Sequence, residues 1–573
     1  MSRTLITLSA IYLLSTLPSA ASLCPIYGPV YPPPKNVKSS NLIKDALQNL
    51  TESLNAGFAT GNSSHGPVVS SGANAIQIFS LDDEDDKPLF EYYHDGTTLS
   101  NSTGVRKVDG DSIFLIGSVS KLVTVYMFLA ELGDGYWDDP VSKHIPELKN
   151  RTKSHENPID FTAWDQVTLG ALAGQVGGVT RDLVDLGAFE VTGVAFGFPP
   201  LEPSELPKCV LTTNLSCDRK GFFDALDDRQ PTWAPNTTPI YSNTAFMILA
   251  YALESITGKS YNDILKSTLV KPLGLTGTST TKPDDSRGAI PINTTVSSWN
   301  RDFGDGASMG GIYASSNDLS KIGRSILNST LLAGNTTGAW LKPTAFTSSI
   351  QGAVGRPWEI FRAPQSGVNR VVDIYAKAGD IGLYHTFLAV VPDYNIGFAA
   401  AVGGAGHHAW YDGLIYDILF PALEAAAREQ ADAAYAGTYA ATNGLNSSLI
   451  LTTDATKLGL GIKTWISNGT VMTDVLSGIA GGTPVSEDNL RVYPTNLERE
   501  TANGTEIAWR VTFEPETGFH DFGPFSACGT WFNIDALTHG HYSFDSLLFT
   551  LGEDGRAKTV NQRAFKIELE RKD

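Results

Sequence analysis

The spacing of apolar residues predicts the helices and strands of this chain. Between residues 41 and 58, leucine and isoleucine recur every three or four positions, as on one face of an amphipathic helix. Residues 75–81 and 88–93 are strand-like, and the acidic residues 82–86 between them predict a solvated hairpin turn rather than a calcium loop. Residues 122–132 are apolar on nearly every side, which indicates a helix buried inside a domain.

Helix and strand signals alternate in the middle of the chain. Apolar residues 245–256 predict a second buried helix, and the runs 385–392 and 395–402 predict an antiparallel hairpin. Residues 409–434 predict a long helix, which we expect to be kinked or interrupted at Pro421.

The pattern changes near Tyr435, after which short alternating segments are separated by Gly and Asn turns. That pattern predicts a separate antiparallel β domain. We therefore expect an α/β (α+β) chain with a signal peptide over residues 1–22, a main domain over 23–434 and a β-rich domain over 435–573. A Pro-rich insertion at about residues 185–232 lies inside the main domain.

The first residues have the composition of a secretory signal. A short basic start precedes the apolar stretch 5–17, and small residues follow at 19–22. A membrane anchor would need about 20 apolar residues. We therefore predict cleavage just after Ala21 or Ser22 and a secreted protein.

Composition and charge narrow the classes of partner. The chain has 573 residues, of which 42% are hydrophobic, enough for a sizeable core. Its formal net charge of −19 argues against nucleic acid and anionic membranes as partners. Nothing in the sequence sets the oligomeric state.

The four cysteines fit an oxidising compartment. Cys209 and Cys217 lie close together in the insertion and would cross-link it locally, which leaves Cys24 to pair with Cys528. A zinc site is the alternative, but the spacing contains no C-x-x-C. We therefore predict two disulfides and no metal.

Acceptor motifs for N-glycosylation are frequent, which is typical of a secreted eukaryotic glycoprotein. They occur at Asn49, Asn62, Asn101, Asn150, Asn214, Asn236, Asn293, Asn328, Asn335, Asn446, Asn468 and Asn503.

Candidate chemistry begins where the first buried helix begins. Ser118 and Lys121 stand three residues apart, so a helix would project both from one face of its first turn. A lysine that acts as a base near neutral pH needs its pKa lowered by roughly three units, a differential cost of about 4 kcal/mol. Burial lowers a lysine pKa in this direction because it disfavours the ammonium.

Two further motifs follow in order, Tyr241-Ser242-Asn243 and Lys377-Ala378-Gly379. With Ser118-x-x-Lys121, they resemble the serine β-lactamase and penicillin-binding-protein family, in particular its class C-like esterase and D-alanyl-D-alanine peptidase branch and its secreted fungal-type members. Segments 114–121, 138–146 and 273–275 also resemble that family. The likeness covers roughly residues 76–419 and implies an α/β/α sandwich with an antiparallel sheet and a helical region.

The resemblance implies a role for each motif residue. Ser118 would be the nucleophile, and Lys121 and Tyr241 would share the duty of general base. A lysine ammonium nearby would lower the Tyr241 pKa. The backbone N–H groups of Ser118 and Asp380 would form the oxyanion hole, at the strand segment that includes Gly379. Asn243 and Lys377 would orient the substrate.

The third motif departs from the common Lys-Thr-Gly of that family. Ala378 removes a hydroxyl that helps to bind a carboxylate, which weakens the case for β-lactams as substrates and favours another ester or amide. Asp380 places a carboxylate beside the site, and it would disfavour anionic substrates if it pointed inward.

Rival sites fit the sequence less well. A Ser-His-Asp triad would need a G-x-S-x-G elbow, which the Ser118 segment lacks. His385 either lines the pocket or is a packed strand histidine. Residues 403–408 suggest a phosphate loop or a metal pair, but no carboxylate stands at ligand spacing, so we interpret them as a flexible loop near the site.

The expected function is that of a secreted serine hydrolase acting on a small-molecule ester or amide through a Ser118 acyl-enzyme, without a cofactor. An acyltransferase of the same fold, of the kind used in secondary metabolism, shares that intermediate. A non-catalytic binding protein that retains the motifs is the alternative from a different class.

Overall fold

The structure is a computed structural model. It describes residues 25–82, 87–100, 103–183, 193–202, 205, 218–365, 370–479, 482, 484–513 and 529–573. The signal segment, all four cysteines, Asn101, Asn214 and part of the insertion lie outside these residues. The two predicted disulfides therefore stay predictions.

The chain forms two compact units. Of the described residues, those within 33–364 and 371–427 form the larger unit, and those within 428–573 form the C-terminal unit together with residues 25–32, 365 and 370. The division falls inside a helix, after Ala427.

An antiparallel sheet of eight strands is the centre of the larger unit. The strands follow the spatial order β4-β3-β12-β11-β10-β9-β8-β7. Their bounds are β3 Ala73–Ser80, β4 Phe90–His94, β7 Ala345–Phe346, β8 Gly352–Val354, β9 Glu359–Pro364, β10 Val371–Ile381, β11 Tyr384–Val391 and β12 Ile396–Gly403. Short pairs lie outside this sheet, β1 Asn62–Ser63 with β2 Gly66–Pro67 and β5 Ile113–Leu115 with β6 Tyr313–Ser315. The two hairpins predicted from the sequence, β3–β4 and β11–β12, are confirmed.

Helices of the larger unit cover both faces of this sheet. The described α-helices up to the division after Ala427 are α1 Asn41–Thr60, α2 Val119–Leu132, α3 Val141–His144, α4 Leu169–Ala173, α5 Arg219–Leu226, α6 Thr244–Thr257, α7 Tyr261–Leu265, α8 Ala307–Gly310, α9 Ser316–Leu327, α10 Gly334–Trp340 and α11 Ala409–Tyr435, the last of which continues past the division.

Alternation along the strands explains the layers, because successive side chains point to opposite faces. Ile374 and Ala376 of β10 pack in one apolar core with α1 and α11. Tyr375, between them, packs in another core with α2, α6 and α9. The predicted α/β/α sandwich is confirmed.

The two helices predicted to be buried are confirmed. In α2, every residue from Val119 to Leu129 is buried, and in α6 every residue from Thr244 to Leu253 is buried. The prediction for α11 was right in extent, but the helix runs through Pro421 without interruption.

The C-terminal unit is built on a second antiparallel sheet, as the alternating segments predicted. Its order is β14-β13-β23-β22-β21-β18-β17-β15-β16, and a further β14–β15 pairing closes eight of these strands into a ring. Their bounds are β13 Gly437–Ala440, β14 Ser448–Thr452, β15 Leu460–Ser467, β16 Thr470–Val471, β17 Leu490–Thr501, β18 Gly504–Phe513, β21 Ser546–Leu551, β22 Ala557–Gln562 and β23 Ile567–Arg571. The pair β19 Thr538–His539 and β20 Tyr542–Ser543 and the helix α12 Met472–Ile479 complete the unit. The Tyr31 hydroxyl of the N-terminal tail donates a hydrogen bond to the Gly459 carbonyl in this unit, at 3.1 Å.

Within the described residues, none of the helices has the length and apolar character needed to cross a membrane.

Strand β10 approaches the start of α2 so closely that only glycine fits between them. A methyl group on Gly379 would lie 2.1 Å from the Ile116 carbonyl oxygen and 2.8 Å from the Ser118 nitrogen. Contacts that short force the backbone apart. This glycine therefore sets the distance between the third motif and the first.

We expect Gly379→Ala to lower the free energy of unfolding by about 1–3 kcal/mol, the usual cost of overpacking. A matched control is Gly338→Ala in α10, where an added methyl group meets nothing within 4 Å. That control is expected to be neutral or stabilising, because alanine favours helix over glycine. Urea unfolding of both variants tests this, and equal stabilities would contradict it.

Candidate active site

Ser118 is held at the start of α2 by a sharp turn. Gly117, before it, adopts a φ of +49°, which glycine tolerates without strain. Ser118 is the N-cap residue of α2, and Lys121 follows within the first turn. The structure thus brings the first motif together on one helical face, as its spacing predicted.

The Lys121 side chain is fully buried and contacts the Ser118 hydroxyl. Its Nζ lies 3.0 Å from the Ser118 Oγ and 2.5 Å from the carbonyl oxygen of Met309, to which it donates a hydrogen bond. Burial lowers the pKa of Lys121 well below its ordinary value, and the nearby Lys377 lowers it further. A lowered pKa favours the neutral amine, which is the form that can accept a proton.

Tyr241 contacts the same oxygen from the other side. Its hydroxyl donates a hydrogen bond of 2.5 Å to the Ser118 Oγ. The centroid of its ring lies 5.0 Å from the Lys121 Nζ, 5.0 Å from the Arg181 guanidinium and 5.3 Å from the Lys377 Nζ.

The expectation of a lowered Tyr241 pKa is wrong. Burial raises the pKa of this phenol, and the opposing effect of Lys377 is smaller. Burial also disfavours the Lys121 ammonium, the charge that was expected to favour the phenolate. Tyr241 is therefore held in its protonated form, as a donor, rather than as a second base.

Lys377 is present beside the nucleophile but is already paired. Its side chain is only 2% exposed, and its ammonium forms a salt bridge with Glu359 of β9. The other oxygen of Glu359 accepts a hydrogen bond of 2.9 Å from the Ala378 N–H. One carboxylate therefore engages Lys377 and Ala378, two of the three residues of the third motif.

Asn243 is held in a similar way at the start of α6. Its side-chain amide donates a hydrogen bond of 2.7 Å to Asp182, and its backbone N–H donates to the Arg181 carbonyl at 2.8 Å. Asp182 also pairs with the Arg181 guanidinium at 3.3 Å. Arg181 and Lys377, the two cations that adjoin the Tyr241 ring, thus each have an acidic partner.

The backbone of β10 lies directly against the nucleophile turn. A methyl group on Gly117 would lie 2.7 Å from the Asp380 nitrogen, and one on Gly379 would lie 2.8 Å from the Ser118 nitrogen. The Thr386 hydroxyl of β11 donates a hydrogen bond of 2.7 Å to the Ile116 carbonyl and fastens the same turn. The structure thus brings together the two segments whose N–H groups are predicted to form the oxyanion hole.

The Asp380 side chain points away from Ser118. Lys377 and Gly379 share the face of β10 that meets α2, so alternation places the Asp380 side chain on the opposite face. There it is 57% exposed and accepts a hydrogen bond of 2.6 Å from His385, its cross-strand partner. This bond holds the pKa of Asp380 below its ordinary value. His385 accordingly lines the far face of the sheet, not the Ser118 pocket.

The loop that follows β12 does have a carboxylate near it, contrary to the interpretation of residues 403–408 from the sequence. That carboxylate belongs to Asp380. The Nε2 of His407 lies 3.6 Å from the Asp380 carboxylate. This contact could not be predicted from the sequence, because Asp380 and His407 are distant in the chain and the order of the strands brings them together.

Two family models match most of the chain. The family model described as Beta-lactamase matches residues 84–409, and the model described as Beta-lactamase-like-like, C-terminal domain matches residues 427–573.

Similar proteins of whole-chain length occur in fungi. A Beta-lactamase-like protein of Arthroderma benhamiae is 31% identical over 95% of each chain, and the Probable hydrolase M10 of a Phoma species is 27% identical over 95% of this chain and 90% of its own.

The D-alanyl-D-alanine-carboxypeptidase/endopeptidase AmpH of Escherichia coli is 25% identical over 50% of this chain and 70% of its own. A solved beta-lactamase/D-alanine carboxypeptidase from Yersinia pestis covers 66% of this chain and 100% of its own, with 20% identity and a TM-score of 0.48.

The lowered Lys121 pKa predicts a specific dependence of stability on pH. An unfolded lysine, with a pKa near 10.4, is protonated at neutral pH, whereas folded Lys121 is neutral once the pH exceeds its lowered pKa. The unfolded chain then binds more protons, so raising the pH stabilises the folded state. Between the two pKa values, the wild type should gain up to about 1.4 kcal/mol per pH unit relative to Lys121→Met.

Urea unfolding of both proteins at pH 7 and pH 9 measures this gain. Using the difference between the two proteins cancels the titration of other groups. A difference that does not change with pH would show that Lys121 is charged in the folded protein.

Proposed function

Because the chain belongs to the beta-lactamase family, a family of serine hydrolases, we propose that it cleaves an ester or amide through an acyl-enzyme on Ser118. The observation that carries the proposal is the pair of contacts on the Ser118 Oγ, from the Lys121 amine at 3.0 Å and the Tyr241 hydroxyl at 2.5 Å. A weakly acidic hydroxyl becomes a nucleophile when an adjacent base accepts its proton.

In acylation, Ser118 Oγ bonds to the substrate carbonyl carbon while its proton moves to the neutral Lys121 amine. The bond from that carbon to the leaving group then breaks, and the Tyr241 hydroxyl gives the leaving group its proton. The tyrosinate recovers a proton from the Lys121 ammonium, which restores both groups. The N–H groups of Ser118 and Asp380 would stabilise the negative charge on the carbonyl oxygen.

Deacylation repeats these steps with water as the nucleophile. Water gives one proton to the Lys121–Tyr241 pair as its oxygen attacks the acyl carbon, and Ser118 Oγ leaves with a proton from that pair. The free acid is released and all three side chains return to their starting states.

The charges around the nucleophile favour a neutral acyl group. Glu359 balances Lys377, Asp182 balances Arg181, and burial favours the neutral form of Lys121, so the immediate site is poor in uncompensated positive charge for an anionic substrate. Ala378 supplies no hydroxyl for a carboxylate. We therefore propose small neutral esters or amides as the substrate class.

The proposed setting is extracellular. It rests on the signal-like first residues and on the acceptor asparagines. Ten of these asparagines lie among the described residues, and all ten are exposed. Exposure is required for glycosylation at such motifs.

We expect Ser118→Ala to lose both labelling by a fluorophosphonate and hydrolysis of neutral esters. Ser120→Ala is the matched control, because the Ser120 hydroxyl lies in the same helix but accepts a hydrogen bond from the Ile312 N–H at 3.1 Å. Folded Ser120→Ala should still be labelled by the fluorophosphonate. Intact-protein mass spectrometry reports the adduct, and unlabelled wild type, or labelled Ser118→Ala, would refute the proposal.

We expect Glu359→Gln to shift specificity toward anionic substrates, because it leaves the Lys377 charge uncompensated. The ratio of kcat/KM for a carboxylated ester to that for its neutral analogue should rise by about tenfold, a change of about 1.4 kcal/mol in transition-state binding. The double variant Glu359→Gln/Lys377→Met should return the ratio toward the wild-type value. An unchanged ratio in the single variant would show that Lys377 does not face the substrate.

A further inference from the structure

Three potential metal ligands meet on the face of the sheet opposite Ser118. Asp380 lies near the end of β10, His385 stands directly across from it on β11, and His407 belongs to the loop after β12. Their ligand atoms all lie within 4.8 Å of one another. We propose that these three side chains bind a divalent transition metal, with Zn²⁺ as the preferred ion.

The donor types fit this ion. Zn²⁺ binds imidazole nitrogen and carboxylate oxygen at about 2.0–2.2 Å, which places the ligand atoms of a tetrahedral site about 3.3 Å apart. The Asp380 oxygen lies 2.6 Å from the His385 Nδ1 and 3.6 Å from the His407 Nε2. These separations fall on both sides of the required value, so binding needs only small side-chain movements.

The position of the cluster leaves room for such movements. The side chains are exposed by 57% for Asp380, 24% for His385 and 47% for His407. An ion can therefore enter from solvent, and water can complete its coordination. Ca²⁺ and Mg²⁺ suit the cluster poorly, because both prefer sites made mainly of oxygen.

A third histidine supports the same assignment. His408 is buried, and its ring centroid lies 4.1 Å from that of His407. Its Nδ1 forms a hydrogen bond of 2.5 Å with Asp412, and its Nε2 is a buried nitrogen for which the described residues provide no hydrogen-bond partner. A carboxylate on one ring nitrogen is the support that metal-binding histidines commonly have. His408 is thus a carboxylate-supported imidazole whose ring adjoins that of His407.

The competing assignment is a simple imidazole–carboxylate pair between His385 and Asp380. Single imidazole–carboxylate pairs of this kind occur elsewhere in the larger unit, for example His155 with Asp165 at 3.1 Å. Such a pair supplies two ligands, whereas the proposed site supplies three. The His155–Asp165 pair is therefore the internal control.

The test is a Co²⁺ titration of the full chain, purified without a polyhistidine tag, followed by displacement with Zn²⁺. Visible absorption reports coordination of Co²⁺ independently of hydrolysis. We expect the wild type to bind one Co²⁺ that Zn²⁺ displaces. Asp380→Asn and His407→Gln should each weaken binding by about tenfold or more. His155→Gln should bind as the wild type does.

Both site variants change exposed side chains, and thermal unfolding without metal confirms that each is folded. Failure of the wild type to bind Co²⁺ would overturn the proposal. So would equal affinity in wild type, Asp380→Asn and His407→Gln, or a loss of affinity in His155→Gln that matches theirs.

Discussion

The burial of Lys121 against Ser118 is the interaction on which the site depends. A fully buried ammonium without a carboxylate partner is costly, so burial favours the neutral amine. That amine can accept the Ser118 proton, and its own hydrogen bond to Met309 O fixes its position. The Tyr241 phenol, also buried, stays protonated and serves as the donor. Desolvation thus lowers the pKa of Lys121 and raises the pKa of its neighbour Tyr241, so it favours the neutral form of both groups.

The remaining structure holds this arrangement in place and balances its charge. Gly379 lets β10 approach the nucleophile turn closely enough for backbone N–H groups from both segments to adjoin. The same strand places Lys377 beside Tyr241, where an unpaired cation would lower the Lys121 pKa and attract anions. Glu359 compensates that charge. A site without a free cation is suited to neutral acyl groups, which agrees with the absence of a hydroxyl at Ala378.

Local patterns in the sequence predicted most of the fold. Helical spacing predicted α1, continuous apolar runs predicted α2 and α6, and a turn between two apolar runs predicted the β11–β12 hairpin. Ser118 and Lys121 were predictable because three residues of helix bring them together. Glu359 and Asp182 were not, since each reaches the site from a distant segment with no motif. The direction of the Tyr241 pKa shift depends on burial, and the approach of Asp380 to His407 depends on strand order, which neither spacing nor composition reveals.

The central claim is that folded Lys121 is a neutral amine at the pH at which the protein acts. Carbon-13 NMR of protein labelled at the lysine Cε position measures this directly, with Lys121→Arg to assign the resonance. The account predicts a Lys121 signal that titrates well below the ordinary lysine pKa of about 10.4, while surface lysines titrate near it. A Lys121 signal that titrates together with the surface lysines would contradict the account.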